Sequence, residues 1–313
     1  MHRRSGLAMF PGMATTVGEA LRRSIARLAT AGHPASDAEE LLSRLLGVGR
    51  GDLRGLRPAN LAEDRAAALE AQLARREAGE PVQYITGRAA FRNLDLAVDP
   101  RVLIPRPETE LLVEGVLEYL ASRDASARLP RVLDLGTGSG CIALAIAQEH
   151  ARARVTATDE SFGALEVARA NAEAWSLADR ITFAQGHWLD ALEPDVRFDV
   201  IVSNPPYVAI AESPELPADV RDWEPAPALF AAGRGLADLR EIVDEAPRHL
   251  VAGGLLALEL AEARAAEVAA WLEGARDWSA VELRADLAGR PRLLFARRER
   301  GPAIAPAQWG EEG

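Results

Sequence analysis

The chain has 313 residues, 48% hydrophobic and 27% charged, which is long enough for two folded domains and excludes a disordered protein. No uncharged apolar run approaches the ~20 residues of a membrane-spanning helix. The net charge of −11 argues against nonspecific binding to bare nucleic acid. A single cysteine excludes an internal disulfide and a cysteine-rich metal site. These features predict a cytoplasmic globular protein without a metal centre.

The charge is distributed unevenly. Residues 1–79 carry 12 Arg against 9 acidic residues, whereas the rest of the chain carries 24 Arg against 38. The difference indicates two units with different partners. The N-terminus lacks the apolar stretch of a secretory signal. Its acid-free beginning fits a start-site extension before Met13, with an organellar transit peptide as the alternative.

The first predicted unit, residues 14–80, is a small helical bundle, which we expect to be a recognition or lid module and not the catalytic part. Leu21, Ile25 and Leu28 recur at helical spacing. Two capping boxes are predicted to start further helices, Ser36 with Glu39 and Asn60 with Glu63.

Residues 81–100 are predicted to form a β-hairpin linker. The segments Gln83–Gly87 and Leu94–Val98 alternate between apolar and polar residues on either side of Arg92-Asn93. A catalytic domain is expected at 101–299, and residues 300–313 are expected to form a flexible tail.

From residue 131 onward, apolar strands alternate with helices, which predicts an α/β fold with a Rossmann-like, seven-stranded sheet whose last two strands pair antiparallel. The predicted strands are Arg131–Leu135, Arg154–Thr158, Ile181–Ala184, Asp199–Ser203, Leu255–Leu260, Ala280–Arg284 and Arg292–Ala296. The predicted helices are Cys141–Glu149, Phe162–Trp175, Leu236–Leu250 and Ala263–Glu273.

A glycine-rich turn follows the first of these strands. Gly136, Gly138 and Gly140 allow the backbone to approach a ligand at a helix N-terminus, where N–H groups are unpaired. The dinucleotide-binding pattern needs glycine or alanine where Cys141 stands, so a pyrophosphate is disfavoured. The turn therefore suits a smaller anionic group, such as an amino-acid carboxylate.

Two aspartates accompany this turn. Asp159 ends the next strand, where it can accept both hydroxyls of a ribose; the alternative is an N-cap for the helix starting near Ser161. Asp134, inside the preceding strand, can hold the loop or meet a ligand ammonium group. The glycine turn and the ribose acid together suggest S-adenosyl methionine as the cofactor.

The segment Asn204-Pro-Pro-Tyr207 ends the fourth strand. Its two prolines remove backbone donors and keep the carbonyls, so the turn presents mainly acceptors. The Asn204 side-chain oxygen and the Pro205 carbonyl can accept both hydrogens of a planar NH₂ group, on which Tyr207 can stack. Such a grip aims the nitrogen lone pair at a methyl sulfonium. The alternative is a rigid strand-terminating turn without chemistry.

These motifs resemble the class I methyltransferases that act on planar nitrogens. The segment Leu103-Ile-Pro-Arg-Pro-Glu-Thr-Glu110 narrows the resemblance to the protein-(glutamine-N5) methyltransferases that modify peptide chain release factors. Further matches are Gly79–Gly87, Asp219–Pro225 and Asp286–Arg290, so the resemblance covers roughly Val17 to Arg297.

The resemblance implies transfer of a methyl group from S-adenosyl methionine to the glutamine of the Gly-Gly-Gln motif of release factors. It implies a helical N-terminal domain that binds the release factor, a hairpin linker and a Rossmann-like catalytic domain. The residues that match the family's cofactor positions are Gly136, Thr137, Gly138, Ser139, Gly140, Asp159, Trp188 and Asn204. Those that match its glutamine-holding, catalytic turn are Asn204, Pro205, Pro206 and Tyr207.

One departure concerns the adenine end of the site. The family commonly has an acid just before Trp188, which would accept from the adenine amine, and this chain has His187 there. Neutral His187 can accept through a ring nitrogen, or Trp188 can suffice by stacking; a structural histidine is the alternative. Arg106 and Glu108 either cover the site or form an ion pair at a domain junction.

Three other functions stay open at this point. The same chemistry can target a glutamine on a ribosomal protein, and adenine or guanine amines also fit an Asn-Pro-Pro-Tyr turn. A noncatalytic protein that binds S-adenosyl methionine is the alternative outside enzymes. Net acidity and the lack of a basic, aromatic-rich segment argue against direct nucleic-acid binding. We expect a monomer that does not bind membranes.

Overall fold

The computed structural model describes residues 15–123 and 128–299. Within it the chain separates into two units, with the boundary between Gly87 and Arg88. The hairpin thus groups with the second unit, and the expected division at 14–80, 81–100 and 101–299 stays a prediction. The expected tail, 300–313, lies outside the described residues.

The first unit is helical, as predicted. Its leucine core includes Leu28, Leu41, Leu42 and Leu73, each at most 1% exposed. The helices are α1 (Val17–Thr30), α2 (Ala35–Leu46), α3 (Leu53–Leu56), α4 (Glu63–Glu77) and α5 (Val82–Thr86), with a 3-10 turn at Arg50–Asp52.

Both predicted capping boxes are wrong. The helix α2 begins at Ala35, which places Ser36 inside the helix, and Asn60 forms an isolated β-bridge with Thr16. The capping box lies at the start of α1 instead, where the hydroxyl of Thr16 accepts from the backbone N–H of Glu19 and the Glu19 carboxylate accepts in return.

The hairpin prediction is correct in its second half only. Gln83–Gly87, expected as a strand, instead forms most of helix α5, which ends at Thr86, and its C-cap Gly87, which has a φ of +70°. The hairpin consists of β1 (Arg88–Phe91) and β2 (Leu94–Ala97), paired antiparallel around Arg92-Asn93.

The second unit is built around a seven-stranded sheet in the order β10-β11-β9-β6-β3-β4-β5. The strands β3, β4, β5, β6 and β9 are parallel, and β11 and β10 continue the sheet antiparallel. The elements are α6 (Pro107–Ala121), β3 (Arg131–Leu135), α7 (Cys141–Glu149), β4 (Arg154–Asp159), α8 (Phe162–Ala174), β5 (Ile181–Gln185), β6 (Phe198–Ser203), β7 (Val208–Ala209), α9 (Ala218–Trp223), α10 (Ala226–Leu229), β8 (Phe230–Ala231), α11 (Ala232–Gly235), α12 (Ala237–His249), β9 (Leu250–Glu259), α13 (Glu262–Gly274), β10 (Trp278–Ala285) and β11 (Pro291–Arg298), with 3-10 turns at Ala178–Arg180, Trp188–Ala191 and Ile210–Glu215.

Two hydrophobic cores cover the two faces of this sheet. Alternate residues of a strand point to opposite faces, so Val132 packs with α6 and α7 whereas Leu133 packs with α12 and α13. All six residues of β6 are buried, as expected for a central strand covered on both sides. The predicted α/β class and seven-stranded sheet are therefore confirmed. Within the described residues, no helix combines the length and apolar character needed to cross a bilayer.

Candidate active site

The strand register brings four polar segments to one edge of the sheet. Leu135 of β3 pairs with Thr158 of β4 and with Ser203 of β6, and Ser203 pairs with Leu258 of β9. The residues that follow this aligned row are Gly136, Asp159, Asn204 and Glu259. Ligands of open α/β sheets bind at this carboxyl edge, so the register alone places the predicted glycine turn, Asp159 and Asn204 together.

The glycine turn requires glycine at each of its three positions. Gly136, Gly138 and Gly140 have φ values of +68°, +55° and +82°, a region that other residues adopt only at a cost. A Cβ at Gly140 would lie 2.6 Å from Leu144 Cδ1, whereas one at Gly138 would meet nothing within 4 Å. The turn is thus closely packed at its helix end and open at its centre.

Asp134 fixes this turn through two hydrogen bonds. Its Oδ2 accepts from the Thr137 hydroxyl at 2.6 Å and from the Ala143 N–H at 3.1 Å. Burial raises the pKa of Asp134 to about 7, against the opposing effect of these hydrogen bonds. Of the two roles expected for Asp134, its contacts support the one in which it holds the loop.

Asp159 also braces the turn and remains in contact with the cavity. Its Oδ2 accepts from the Gly138 N–H and its Oδ1 from the Ser161 N–H, each at 2.9 Å. Burial raises the pKa of Asp159 in spite of both bonds. The N-cap of α8 is Ser161, whose hydroxyl accepts from the Ala164 N–H, so the alternative of Asp159 as the N-cap is wrong.

A cavity of about 320 Å³ opens beside the turn, which is within the range of small-molecule sites. Six of the predicted site residues line it, namely Gly136, Gly138, Asp159, Trp188, Asn204 and Pro206. Five do not belong to its lining, namely Thr137, Ser139, Gly140, Pro205 and Tyr207. Thr137, Ser139 and Gly140 belong to the glycine turn, and the side chains of Thr137 and Ser139 are buried.

Trp188 forms one wall of the cavity next to the turn. Its indole N–H donates to Asp238 Oδ1 at 3.0 Å, and a Cβ at Gly136 would lie 3.2 Å from Trp188 Cζ3. The glycine at position 136 therefore makes room for the indole ring. Asp238, which also lines the cavity, was not anticipated from the sequence.

His187 lines the same cavity between two carboxylates. Its Nδ1 lies 3.5 Å from Glu160 Oε2, and its Nε2 lies 3.3 Å from Glu241 Oε1. Partial burial would lower the pKa of His187, but hydrogen bonds and charges from Glu241 and Glu160 outweigh it and raise the pKa. Both ring nitrogens thus face acceptors, which does not favour the expected role of His187 as an acceptor for an amine.

A hydrogen-bond chain lies beneath the Asn-Pro-Pro-Tyr turn. The side-chain nitrogen of Asn204 donates to Thr109 Oγ1 at 3.2 Å, and the Thr109 hydroxyl donates to Glu259 Oε2 at 2.6 Å. The Tyr207 hydroxyl donates to Glu259 Oε1 at 3.2 Å. Burial raises the pKa of Glu259, opposed by both hydroxyls, and burial also raises the pKa of Tyr207.

Sequence reasoning did not single out Thr109 or Glu259. Thr109 lies within the Pro-Glu-Thr segment that supports the family resemblance, and Glu259 is an acid at the end of an otherwise apolar strand. An acidic residue in an apolar strand indicates a buried charge, and a buried charge needs hydrogen-bond partners. This feature of the sequence could have pointed to Glu259.

Arg106 and Glu108 form ion pairs. The Arg106 guanidinium donates to Glu224 Oε1 at 2.6 Å, and the second oxygen of Glu224 accepts from the Ile104 N–H. Arg290 lies 3.4 Å from Glu108. Both residues thus form ion pairs, but these pairs lie within the second unit and not at the expected domain junction.

Comparison with known proteins gives two family matches. The Methyltransferase small domain model matches residues 109–216, and the PrmC N-terminal domain model matches residues 19–87. The first includes the glycine turn and the Asn-Pro-Pro-Tyr turn, and the second falls within the helical unit.

Several curated relatives carry the name release factor glutamine methyltransferase. The protein from Koribacter versatilis is 42% identical to the chain over 85% of the chain and 91% of that protein. The protein from Streptomyces coelicolor is 41% identical, covering 87% and 94%. The protein from Moorella thermoacetica is 40% identical, covering 90% and 99%.

A solved structure shows a similar fold. The catalytic domain of hMettl16, crystallised with MAT2A 3′UTR hairpin 6, superposes with a TM-score of 0.52 at 17% identity, covering 78% of this chain and 84% of that one. At this identity the likeness concerns the fold alone, and it agrees with the expected Rossmann-like α/β sheet.

Proposed function

The chain belongs to the release factor glutamine methyltransferases, and we propose that it methylates the side-chain amide nitrogen (N5) of the glutamine in the Gly-Gly-Gln motif of peptide chain release factors. It is an S-adenosyl methionine-dependent protein-glutamine methyltransferase. We infer that it acts in translation termination, as a cytoplasmic monomer without direct contact to nucleic acid.

The residues around the cavity fit this methyl donor. The open centre of the glycine turn at Gly138 leaves room for a ligand, the Asp159 carboxylate can accept from ribose hydroxyls, and Trp188 offers a flat face. When bound, the donor supplies a methyl group on a positively charged sulfur. Thr137, Ser139 and Gly140 then act by fixing the turn, and we propose that His187 contributes through its ion pairs with Glu160 and Glu241.

The observation that carries the proposal is the orientation of the Asn204 carboxamide. Its nitrogen is bound to Thr109, so its oxygen lies at the opposite corner of the amide, and Asn204 lines the cavity. That oxygen, together with the Pro205 carbonyl, can accept both hydrogens of the substrate carboxamide. Pro206 contributes a rigid wall, and we propose that Tyr207 stacks on the planar group.

The chain's contribution to the reaction is to orient the nitrogen. An amide nitrogen is a poor nucleophile because its lone pair is delocalised, and holding both N–H bonds directs this lone pair at the methyl carbon. When bound, the donor would supply the carbon of the new N–C bond, and the electrons of its C–S bond would go to sulfur. The methylated nitrogen then loses one proton to water, so no strong base is needed beforehand. We propose that the helical unit, residues 14–80, assists by binding the release factor.

The test uses radiolabelled S-adenosyl methionine with a release factor, a ribosomal protein and RNA in parallel. We expect one added methyl on the glutamine of the release factor, located by mass spectrometry. Labelling of only the ribosomal protein or the RNA would refute the proposed target.

A variant tests the role of the turn. Asn204→Ala should abolish turnover, because it removes the acceptor for the substrate amide, and calorimetry should show nearly unchanged affinity for S-adenosyl methionine. Asn93→Ala, in the exposed hairpin turn, is the matched control and should behave as the wild type. Full turnover by Asn204→Ala would remove the assigned role.

A further inference from the structure

One buried carboxylate, Glu259, holds both ends of the Asn-Pro-Pro-Tyr turn. Glu259 is 1% exposed and ends strand β9, directly beside the end of β6 from which the turn departs. One of its oxygens accepts from Thr109, itself 1% exposed, and the other accepts from Tyr207. Thr109 in turn accepts from the side chain of Asn204.

The direction of these hydrogen bonds is determined by the number of protons available. A threonine hydroxyl has one proton, and at 2.6 Å from a carboxylate oxygen that proton is directed at Glu259. The Thr109 oxygen can then only accept from its other neighbour. The corner of the Asn204 amide that faces Thr109 must therefore be the NH₂ group, and the carbonyl oxygen must face away from it.

A reversed arrangement would block the proposed chemistry. With its oxygen toward Thr109, Asn204 would present N–H donors to the N–H donors of the substrate carboxamide. A donor facing a donor leaves both unpaired, which costs far more than a slightly misaligned bond. The orientation of one amide thus decides whether the turn accepts or repels its substrate.

We propose that Glu259 is a positioning residue, which acts through Thr109 to direct the Asn204 oxygen toward the substrate amide and through Tyr207 to fix the far end of the turn. This inference rests on the proposed function of the turn. It adds to that function two residues, Glu259 and Thr109, that contact neither the methyl donor nor the substrate glutamine.

The first test replaces the hydroxyl of Thr109. Thr109→Val keeps the shape of the side chain and removes the hydroxyl that links Glu259 to Asn204, a link we call the relay. We expect kcat to fall about 10- to 100-fold, because small misplacements of reacting groups cause losses of this size. The KM for S-adenosyl methionine should stay within about twofold of the wild-type value, because the substitution does not change the glycine turn. Thr109→Ser retains the hydroxyl and should restore most of the lost rate. Thr182→Val, on an exposed strand position, is the matched control for the valine substitution.

The second test needs no turnover. In ¹⁵N NMR spectra of the protein without ligands, the side-chain NH₂ of Asn204 should exchange slowly with solvent, since one of its protons is bound to Thr109. Thr109→Val should accelerate that exchange, and Thr182→Val should not. Slow exchange that persists in Thr109→Val would overturn the relay.

The third test asks whether Glu259 acts through Thr109. Glu259→Leu removes both acceptor oxygens, so kcat should fall about tenfold or more, and this variant also serves if Thr109→Val does not fold. Adding Thr109→Val to it should cost much less than the product of the two separate losses, because both changes break the same chain. Fully multiplicative losses would show that the two residues act independently, which would overturn the proposal.

The outcomes separate this inference from the proposed function. If Asn204→Ala turns over normally, the proposed role of the turn is wrong. If Asn204→Ala is inactive while Thr109→Val and Glu259→Leu turn over at the wild-type rate, the turn is catalytic and only the positioning role is wrong.

Discussion

Asp159→Asn tests the cofactor site most directly, because the exchange changes the chemistry of one side chain and almost nothing of its shape. The two carboxylate oxygens accept from the N–H groups of Gly138 and Ser161, each at 2.9 Å. An asparagine has one acceptor oxygen, so its NH₂ group must face one of these N–H groups, donor against donor. The substitution also removes the negative charge that ribose hydroxyls would meet.

The expected size of the effect follows from these contacts. A hydrogen bond to a charged group contributes about 1.5–3 kcal/mol, so the dissociation constant of S-adenosyl methionine should rise about 10- to 150-fold. The pH dependence has a definite sign. Burial raises the pKa of Asp159, and the ionised form is the acceptor, so wild-type affinity should fall as the pH drops through that raised pKa. The Asp159→Asn variant should lack this dependence.

Isothermal calorimetry with S-adenosyl methionine measures the affinity, and Glu160→Gln is the matched control. Glu160 is an exposed acid that also lines the cavity, so its exchange removes the same charge without breaking the turn. Thermal unfolding of the unliganded variants separates binding from folding. An unchanged dissociation constant in Asp159→Asn, even with a lower melting temperature, would refute ribose recognition and leave Asp159 a purely architectural role.

Two further predictions concern stability. A Cβ at Gly115 would lie 2.4 Å from Cζ of the buried Phe295 ring, so Gly115→Ala should cost about 1–3 kcal/mol in urea unfolding, whereas Gly274→Ala, with nothing within 4 Å, should not destabilise. Burial raises the pKa of Asp134 to about 7, so between about pH 4 and 7 the native state binds a proton that the unfolded chain has released. The unfolding free energy of the wild type should therefore decrease as the pH rises from about 4 to 7. Asp134→Asn should remove that part of the decrease.

The central sheet could be predicted from the sequence because its strands are short apolar runs ended by turn residues. The predicted bounds of β3 are those observed, and β4 and β6 differ by one residue each. Gln83–Gly87 was assigned wrongly because five residues are too few to distinguish a helical from an extended period. Gly87, with its positive φ, is the helix-ending residue that the pattern did contain.

The candidate site also has a part that the sequence predicts and a part that it does not. Gly136, Asp159 and Asn204 each follow a strand directly, so parallel pairing alone brings them to one edge. The relay could not be predicted, because Thr109 and Glu259 are 150 positions apart and meet only through the packing of α6 beside β9. The order of the strands in the sheet, which decides that β9 lies next to β6, is not present in any local pattern.

The position of Glu259 depends on an irregularity at the opposite end of its strand. Phe198 pairs with Leu250, whereas Val200 pairs with Leu255, so β9 has extra residues between these two pairs. Gly253 lies there with a φ of +73°. Successive side chains of a strand point to opposite faces, so one residue more or fewer in this bulge would turn Glu259 away from α6 and direct a leucine at Thr109. The length of a glycine-containing bulge far from the cavity therefore decides which side chain lies beneath the Asn-Pro-Pro-Tyr turn.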